Sequence, residues 1–269
     1  MTFNEKLQAA WAKSRSLVCV GLDPELPKLP ARFRDRPDGL FAFHKAIVDA
    51  THDIVCAYKP QFAHHAALGA YDQLAAIIGY IHDRYPNVPV ILDAKRGDMG
   101  NTAMYLAQEA FEHFKADAVT VNPYLGTDAI EPFTTYVDRG TVLLCRTSNP
   151  GAADLQELLV DGAPLYMQVA KLAAERWNGN NNVSLVVGAT APQVIKDVRK
   201  VVGDMPLLVP GVGAQGGDVA AAVAAGRDSK GAGLMISASR SVLYASSGDD
   251  FAQAARGAVE QMMDDGARV

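Results

Sequence analysis

Short, continuously apolar runs recur along the chain at residues 17–23, 57–61, 88–95, 118–123, 141–148, 184–190, 207–213 and 234–239. They lack the alternation of a half-exposed strand and read as strands covered on both faces. Between them lie stretches whose apolar residues fall three or four apart, at 40–55, 67–84, 101–115, 128–138, 164–177, 192–202 and 217–225, with a last one at 251–264. Leu74, Ile77, Ile78 and Ile81 show this spacing, which lines them along one helix face. Eight strands, each followed by a helix, predict an α/β protein built as a single (β/α)8 TIM barrel, with a doubly wound sheet as the alternative. The Pro-rich stretch 24–30 and residues 149–163 read as long loops after strands, so residues 1–269 are expected to form one domain.

Composition narrows the class without changing that picture. Hydrophobic residues make up 49% of the 269 and charged residues 20%, which suits a packed core and excludes a disordered or collagen-like chain. A net charge of −5 provides no global basic field for nucleic acid or an anionic membrane. The first sixteen residues carry charges throughout and no apolar segment of a secretory signal, and no run of about 20 apolar residues spans a bilayer. Cys19, Cys56 and Cys145 are sparse, odd in number and not spaced as metal ligands; they read as buried small side chains in a cytoplasmic protein.

In a (β/α)8 barrel the chemistry gathers at the C-terminal ends of the strands. Polar residues stand at nearly every such end: Asp23, Lys59, Asp93, Lys95, Asp98, Asn122, Ser148, Thr190, Gln215 and Arg240. The densest group follows the apolar run Val90-Ile-Leu92, which leads directly into Asp93, Lys95 and Asp98. A strand period of two places Asp93 and Lys95 on the same side, facing the barrel mouth. Lys59 ends the preceding strand and can join them, while Asp98 lies in a loop between Gly97 and Gly100 that turns it back or sends it to a neighbour. One Asp–Lys pair could be structural, with Arg96 as an ordinary surface residue. Two carboxylates and two ammoniums at adjacent strand ends point to a catalytic cluster, because burying charge is expensive.

A second constellation lies around the last two strands. The loop Pro210-Gly-Val-Gly-Ala-Gln-Gly-Gly217 lets backbone amides approach an anion, a helix starting near Gly217 offers its positive end, and Arg240 ends the next strand. Loops after strands seven and eight form the recurrent phosphate site of such barrels. The Gly211, Gly213, Gly216 spacing also fits a dinucleotide fingerprint, but no early βαβ unit holds it. His64 and His65 have no carboxylate at metal-binding spacing and read as ordinary loop or core histidines.

The stretch Asp93-Ala-Lys-Arg-Gly-Asp-Met-Gly-Asn-Thr102 resembles the Asp-x-Lys-x-x-Asp signature of the orotidine 5′-phosphate decarboxylase family, in its DAKRGD-type (type 2) branch. Further matches fall in order at Val20-Gly-Leu-Asp-Pro24, Ala57-Tyr-Lys-Pro60, Cys145-Arg-Thr-Ser-Asn-Pro-Gly151, Val187-Gly-Ala-Thr190, Val209–Gly217 and Ser237-Ala-Ser-Arg240. The resemblance implies decarboxylation of orotidine 5′-phosphate to UMP and CO2, the last step of UMP synthesis, without metal or organic cofactor. It implies a catalytic network of Lys59, Asp93, Lys95 and Asp98, with Lys95 as proton donor. Asp98 and Thr102 would reach into a second subunit's site, which makes the protein a homodimer with shared active sites. Gln215 and Arg240 would hold the phosphate and Asp23 a ribose hydroxyl. Ser148 would bond the pyrimidine, with Thr147 an equally short step away. Residues 213–217 are expected to serve as a lid. The competing readings are a Mg²⁺-dependent 3-keto-gulonate-phosphate decarboxylase or hexulose-phosphate synthase on the same scaffold, and an idle sugar-phosphate sensor. The segment after Lys95 argues against the first and the four-membered charge cluster against the second.

Overall fold

A computed structural model of the chain describes residues 1–213 and 216–269. Eight parallel strands form its centre: β1 (Val18–Leu22), β2 (Ala57–Pro60), β3 (Ile91–Arg96), β4 (Ala118–Val121), β5 (Gly140–Arg146), β6 (Val183–Val187), β7 (Leu207–Pro210) and β8 (Leu234–Ala238). They hydrogen-bond in the order β2-β1-β8-β7-β6-β5-β4-β3. Parallel bridges from Tyr58 to Val90 and from Gln61 to Asp93 join β2 to β3 and complete the ring. Every residue of β1, β2, β4, β6 and β8 is buried, as expected of strands packed inside and out. The (β/α)8 barrel anticipated from the apolar runs is the fold observed.

The surrounding helices follow local sequence rules. Pro192–Val202 matches its expected range: Pro192 suits the first turn, Ile195, Val198 and Val202 face the core, and Gly203 stops it with φ +58°. The expected 67–84 helix is instead two, Phe62–Ala67 and Tyr71–Arg84, because Gly69 turns the chain at φ +64°. Gly100–Gln108 and Leu165–Leu172 each continue into a single π turn, Glu109–His113 and Ala173–Trp177. On one flank, Phe43 and Phe251 stack at 5.2 Å and Phe33 meets both edge-on, tying the C-terminal helix Phe251–Met262 to Gly39–Thr51. Each such buried ring contributes roughly 1.5–3 kcal/mol.

Two features depart from the pattern-based reading. Residues 149–163 are not a plain loop: Pro150–Asp154 forms a 3-10 turn, and Leu159–Val160 pairs with Ala163–Pro164 in a small antiparallel hairpin. Asp161 and Gly162, both at positive φ, form its two-residue turn. The N-terminal segment is a helix, Phe3–Ser14, closed at its start by a capping box between Thr2 and Glu5. It covers the N-terminal mouth of the barrel, with Lys6 bonded to Asp117 at 2.9 Å and the Trp11 indole donating to the Leu234 carbonyl at 2.9 Å.

Candidate active site

At the opposite, C-terminal mouth, a cavity of about 390 Å³ is lined by residues from most of the strands. Asp23, Lys59, Asp93, Lys95, Ser148 and Arg240 all face it, together with Thr120 and Ser239. Its size suits a small-molecule ligand.

Asp93 is the centre of the charged cluster. It is 6% exposed, and its two oxygens are divided between two ammoniums: Lys59 Nζ donates to Oδ2 at 2.7 Å and Lys95 Nζ to Oδ1 at 2.6 Å. Burial pushes the carboxyl pKa upward, but the charges of Lys59 and Lys95 overrule it and hold Asp93 well below the usual carboxylate range. Burial likewise opposes the charge on Lys59, and Asp93 and then Asp23 more than offset it, so that ammonium keeps its proton more tightly than a free lysine. Two unit charges 4 Å apart attract by about 4 kcal/mol at an effective dielectric near 20, before desolvation is counted.

Lys95 reaches this carboxylate by an unexpected route. Its backbone is left-handed, at φ +46°, where a residue with a Cβ pays about 1–2 kcal/mol. The β3–β4 register runs Ile91 with Ala118 and Leu92 with Val119, then jumps to Arg96 with Val121. Three residues of β3 therefore stand opposite Thr120 alone. The strict alternation assumed for Asp93 and Lys95 breaks at this bulge; the two side chains still meet, because the turned backbone aims Lys95 back toward Asp93. Half of the Lys95 side chain, 48%, stays exposed to the cavity.

Asp98 and Thr102 do not line the cavity of their own chain. Asp98 accepts the amide of Met99 at 2.8 Å, and Thr102 is exposed on the helix Gly100–Gln108. Around them Met99, Met104, Tyr105, Tyr124 and Leu125 are large apolar side chains left open to solvent. Arg96 is no ordinary surface residue: its guanidinium pairs with Glu109 at 2.5 Å and lies 4.1 Å over the Phe62 ring, so it ties the end of β3 to the flanking helices.

The base and ribose candidates are separated by their hydrogen bonds. The Thr147 hydroxyl is engaged by Asn149 and Gln156, whereas Ser148 presents its side chain to the cavity. Gly188 makes this approach feasible, since a Cβ there would come within 2.9 Å of Ser148. Asp23 Oδ1 and Ser239 Oγ are buried without a partner, so the wall of the cavity near β1 and β8 holds unsatisfied hydrogen-bonding capacity. Asn122 instead caps the turn Pro123–Leu125, and neither it nor Thr190 lines the cavity.

Near β7 and β8, Gly211, Val212 and Arg240 line the cavity, and Arg240 has no acidic partner among the described residues. Gln215, and Ala214 within the expected lid 213–217, lie outside the described residues. The next helix, Val219–Gly226, begins later than expected and is capped by Asp218, whose side chain accepts from Ala221 N at 2.8 Å. Its positive end is thus already occupied by a carboxylate, and Arg240 is the cation that lines this wall of the cavity among the described residues.

The remaining candidates are structural. Cys19 and Cys145 are buried thiols with pKa pushed up to about 12 by burial, and Cys56 is raised as well, so none is a nucleophile near neutrality. His65 is buried with Nδ1 on the Gln61 carbonyl, and His64 bonds the Pro24 carbonyl. Thr120 is absent from the sequence-based candidates, because a threonine inside Ala118-Val-Thr-Val121 reads simply as a strand former.

A closed parallel barrel with a charged triad and an arginine lining its C-terminal mouth defines an enzyme of the (β/α)8 class acting on a small anionic substrate. The chain belongs to the orotidine 5′-phosphate decarboxylase / HUMPS family, whose model matches residues 16–256. It is 62% identical over 258 residues to the orotidine 5′-phosphate decarboxylase of Cellvibrio japonicus, covering 95% of this chain and 94% of that one. Among solved structures, the OMP decarboxylase of Leishmania donovani superposes with a TM-score of 0.85 at 35% identity, covering 98% of both chains. The UMP synthase of the same organism aligns with a TM-score of 0.86 at 38% identity over 98% of this chain and 56% of that one.

Proposed function

We propose that this enzyme decarboxylates orotidine 5′-phosphate to UMP through the Lys59–Asp93–Lys95 cluster. The observation that carries the reading is Asp93, buried and held ionised between two ammoniums at the mouth of a nucleotide-sized cavity. When the C6–carboxyl bond breaks, CO2 leaves and the bonding pair stays on C6, in an orbital the pyrimidine ring does not delocalise. Fixed charge aimed at that carbon is then the protein's main resource. Lys95 stabilises the developing carbanion and passes its proton to C6, giving UMP. Asp93 faces the departing carboxylate, keeps Lys59 protonated and holds both lysines in place.

Arg240 binds the phosphate as a planar fork, with Gln215 assigned beside it by the family resemblance. Asp23 accepts a ribose hydroxyl and Ser148 bonds the base. Energy from these remote contacts stabilises the transition state rather than the reacting carbon alone. Asp98 and Thr102, facing outward amid Met99, Met104, Tyr105, Tyr124 and Leu125, complete the site of a second copy, so the functional unit is a homodimer. Residues 1–269 act as one catalytic unit, the C-terminal segment being tied to the start of β1 by the Leu17 amide on the Ala267 carbonyl. Buried, unpaired thiols suit a reducing cytoplasm.

The test is loss of the ultraviolet absorbance of orotidine 5′-phosphate in the presence of excess EDTA. Undiminished turnover is expected. A reaction that stops with chelation would favour the Mg²⁺-dependent sugar-phosphate enzymes instead, and an inert protein would favour a sensor.

A further inference from the structure

Resting on that decarboxylase reading, we infer that Thr120 is a positioning residue, whose hydroxyl sets both the backbone turn from which Lys95 projects and the orientation of the Asp93 carboxylate. Thr120 lies in the middle of β4 and is 1% exposed. Its Oγ1 accepts the amide of Ala94 at 3.0 Å and the amide of Lys95 at 2.9 Å, and it donates to Asp93 Oδ1 at 3.0 Å. A hydroxyl has two lone pairs and one proton. Both lone pairs are taken by N–H groups, so the single proton has one destination, the Asp93 oxygen that also receives Lys95 Nζ.

The bulge explains why this hydroxyl is needed. With three residues of β3 facing one residue of β4, the amides of Ala94 and Lys95 fall out of the strand ladder. A buried amide without a partner is strongly disfavoured. The side chain of Thr120 stands in for the missing carbonyl and so makes the left-handed turn at Lys95 tenable. Burial of a hydroxyl in this barrel does not by itself produce such a set of bonds: Thr141 and Ser184, on β5 and β6, are buried with hydroxyls that have no partner. Thr120 thus links the two ends of the Asp93–Lys95 pair through their backbone and their carboxylate at once, without touching the phosphate wall.

The experiment compares steady-state decarboxylation by the full-length wild type with Thr120→Val, Thr120→Ser and Thr120→Ala. Removing the hydroxyl in Thr120→Val is expected to lower kcat about 100-fold, the effect of displacing a reacting group by an ångström, while KM shifts less than about threefold. Thr120→Ser keeps the hydroxyl and should retain kcat within about fivefold, the conservative change restoring what the isosteric one removes. If Thr120→Val does not fold, the ratio of kcat between the Ser and Ala variants isolates the hydroxyl, since both lack the methyl group. Near-normal kcat in Thr120→Val, or equal losses in the Ser and Ala variants, overturns the role of Thr120. A wild-type protein that leaves orotidine 5′-phosphate intact overturns the decarboxylase reading itself, so the two failures are distinct.

Discussion

Two aspartates of similar burial sit at opposite ends of the barrel, and each collects cations. Asp117, 8% exposed at the N-terminal end of β4, binds Lys6 through both oxygens, accepts the Val90 amide at 2.7 Å and meets His82 at 3.0 Å. Asp93, at the other end, binds Lys59 and Lys95. Both carboxyls are held below their ordinary range against the upward push of burial. Electrostatics alone therefore does not distinguish the two. What differs is the surroundings. Asp117 is roofed by the helix Phe3–Ser14 and its partners converge from several elements to seal it. Asp93 opens on a cavity, one of its ammoniums is half exposed, and that lysine sits on a strained backbone. Strain stored beside a cavity marks function, whereas saturation under a lid of packing marks stability.

Substitutions at the two sites should separate these roles. The largest effect is expected from Lys95→Ala, which removes the proposed proton donor: kcat should fall by about 10⁴-fold or more while UMP affinity and the urea midpoint stay near wild type. A near-normal kcat would break the comparison at its catalytic end. Asp117→Ala leaves Lys6 buried without a partner and should lower unfolding stability by about 3–5 kcal/mol, with kcat of the folded enzyme unchanged. Urea titration combined with activity measures both halves of that statement. Arg240→Ala should reduce kcat/KM for orotidine 5′-phosphate by about 100-fold, the loss of a charge-assisted fork, and leave the slow reaction of the dephosphorylated nucleoside unaffected. Equal losses for the two substrates would move Arg240 out of the phosphate site.

The smallest effect tests a third buried group. His44 and His65, 5.4 Å apart, are held below the ordinary histidine pKa, mainly by burial. The folded state then binds fewer protons than the unfolded chain once pH drops below about 6.5, so stability falls as the solution is acidified. Between pH 7 and 5 each imidazole kept neutral would contribute about 2 kcal/mol of that loss. The aspartates act in a lower window, because their depressed carboxyls stabilise the fold above about pH 4 and lose that contribution only below it. A flat urea midpoint from pH 7 to 5, or the same slope in His44→Leu, would contradict this assignment.

The barrel and its charged mouth were legible because buried parallel strands leave uninterrupted apolar runs, and because β3 passes abruptly into Asp93 and Lys95. The family resemblance suggests roles that spacing alone does not, such as those proposed for Asp98 and Thr102, which lie outside the cavity of their own chain. Other features were hidden for physical reasons. The helix Phe3–Ser14 is signalled only by its Thr2-x-x-Glu5 capping box, in a stretch with weak apolar periodicity. Gly69 divided a helix whose apolar spacing continued smoothly across it. Asp218 caps the helix end that the Gly-rich loop suggests for phosphate. The bulge at Lys95 has no local signature, since it depends on a hydroxyl supplied by the neighbouring strand.

That bulge also limits what can be transplanted. Copying Asp93, Lys95 and Lys59 onto another barrel with regular strands would keep amine and carboxylate on one face but lose the left-handed turn from which the lysine projects and the hydroxyl that orients the carboxylate. A portable version of this chemistry needs the kink and the threonine that braces it, so the smallest transferable unit spans two adjoining strands rather than one short motif.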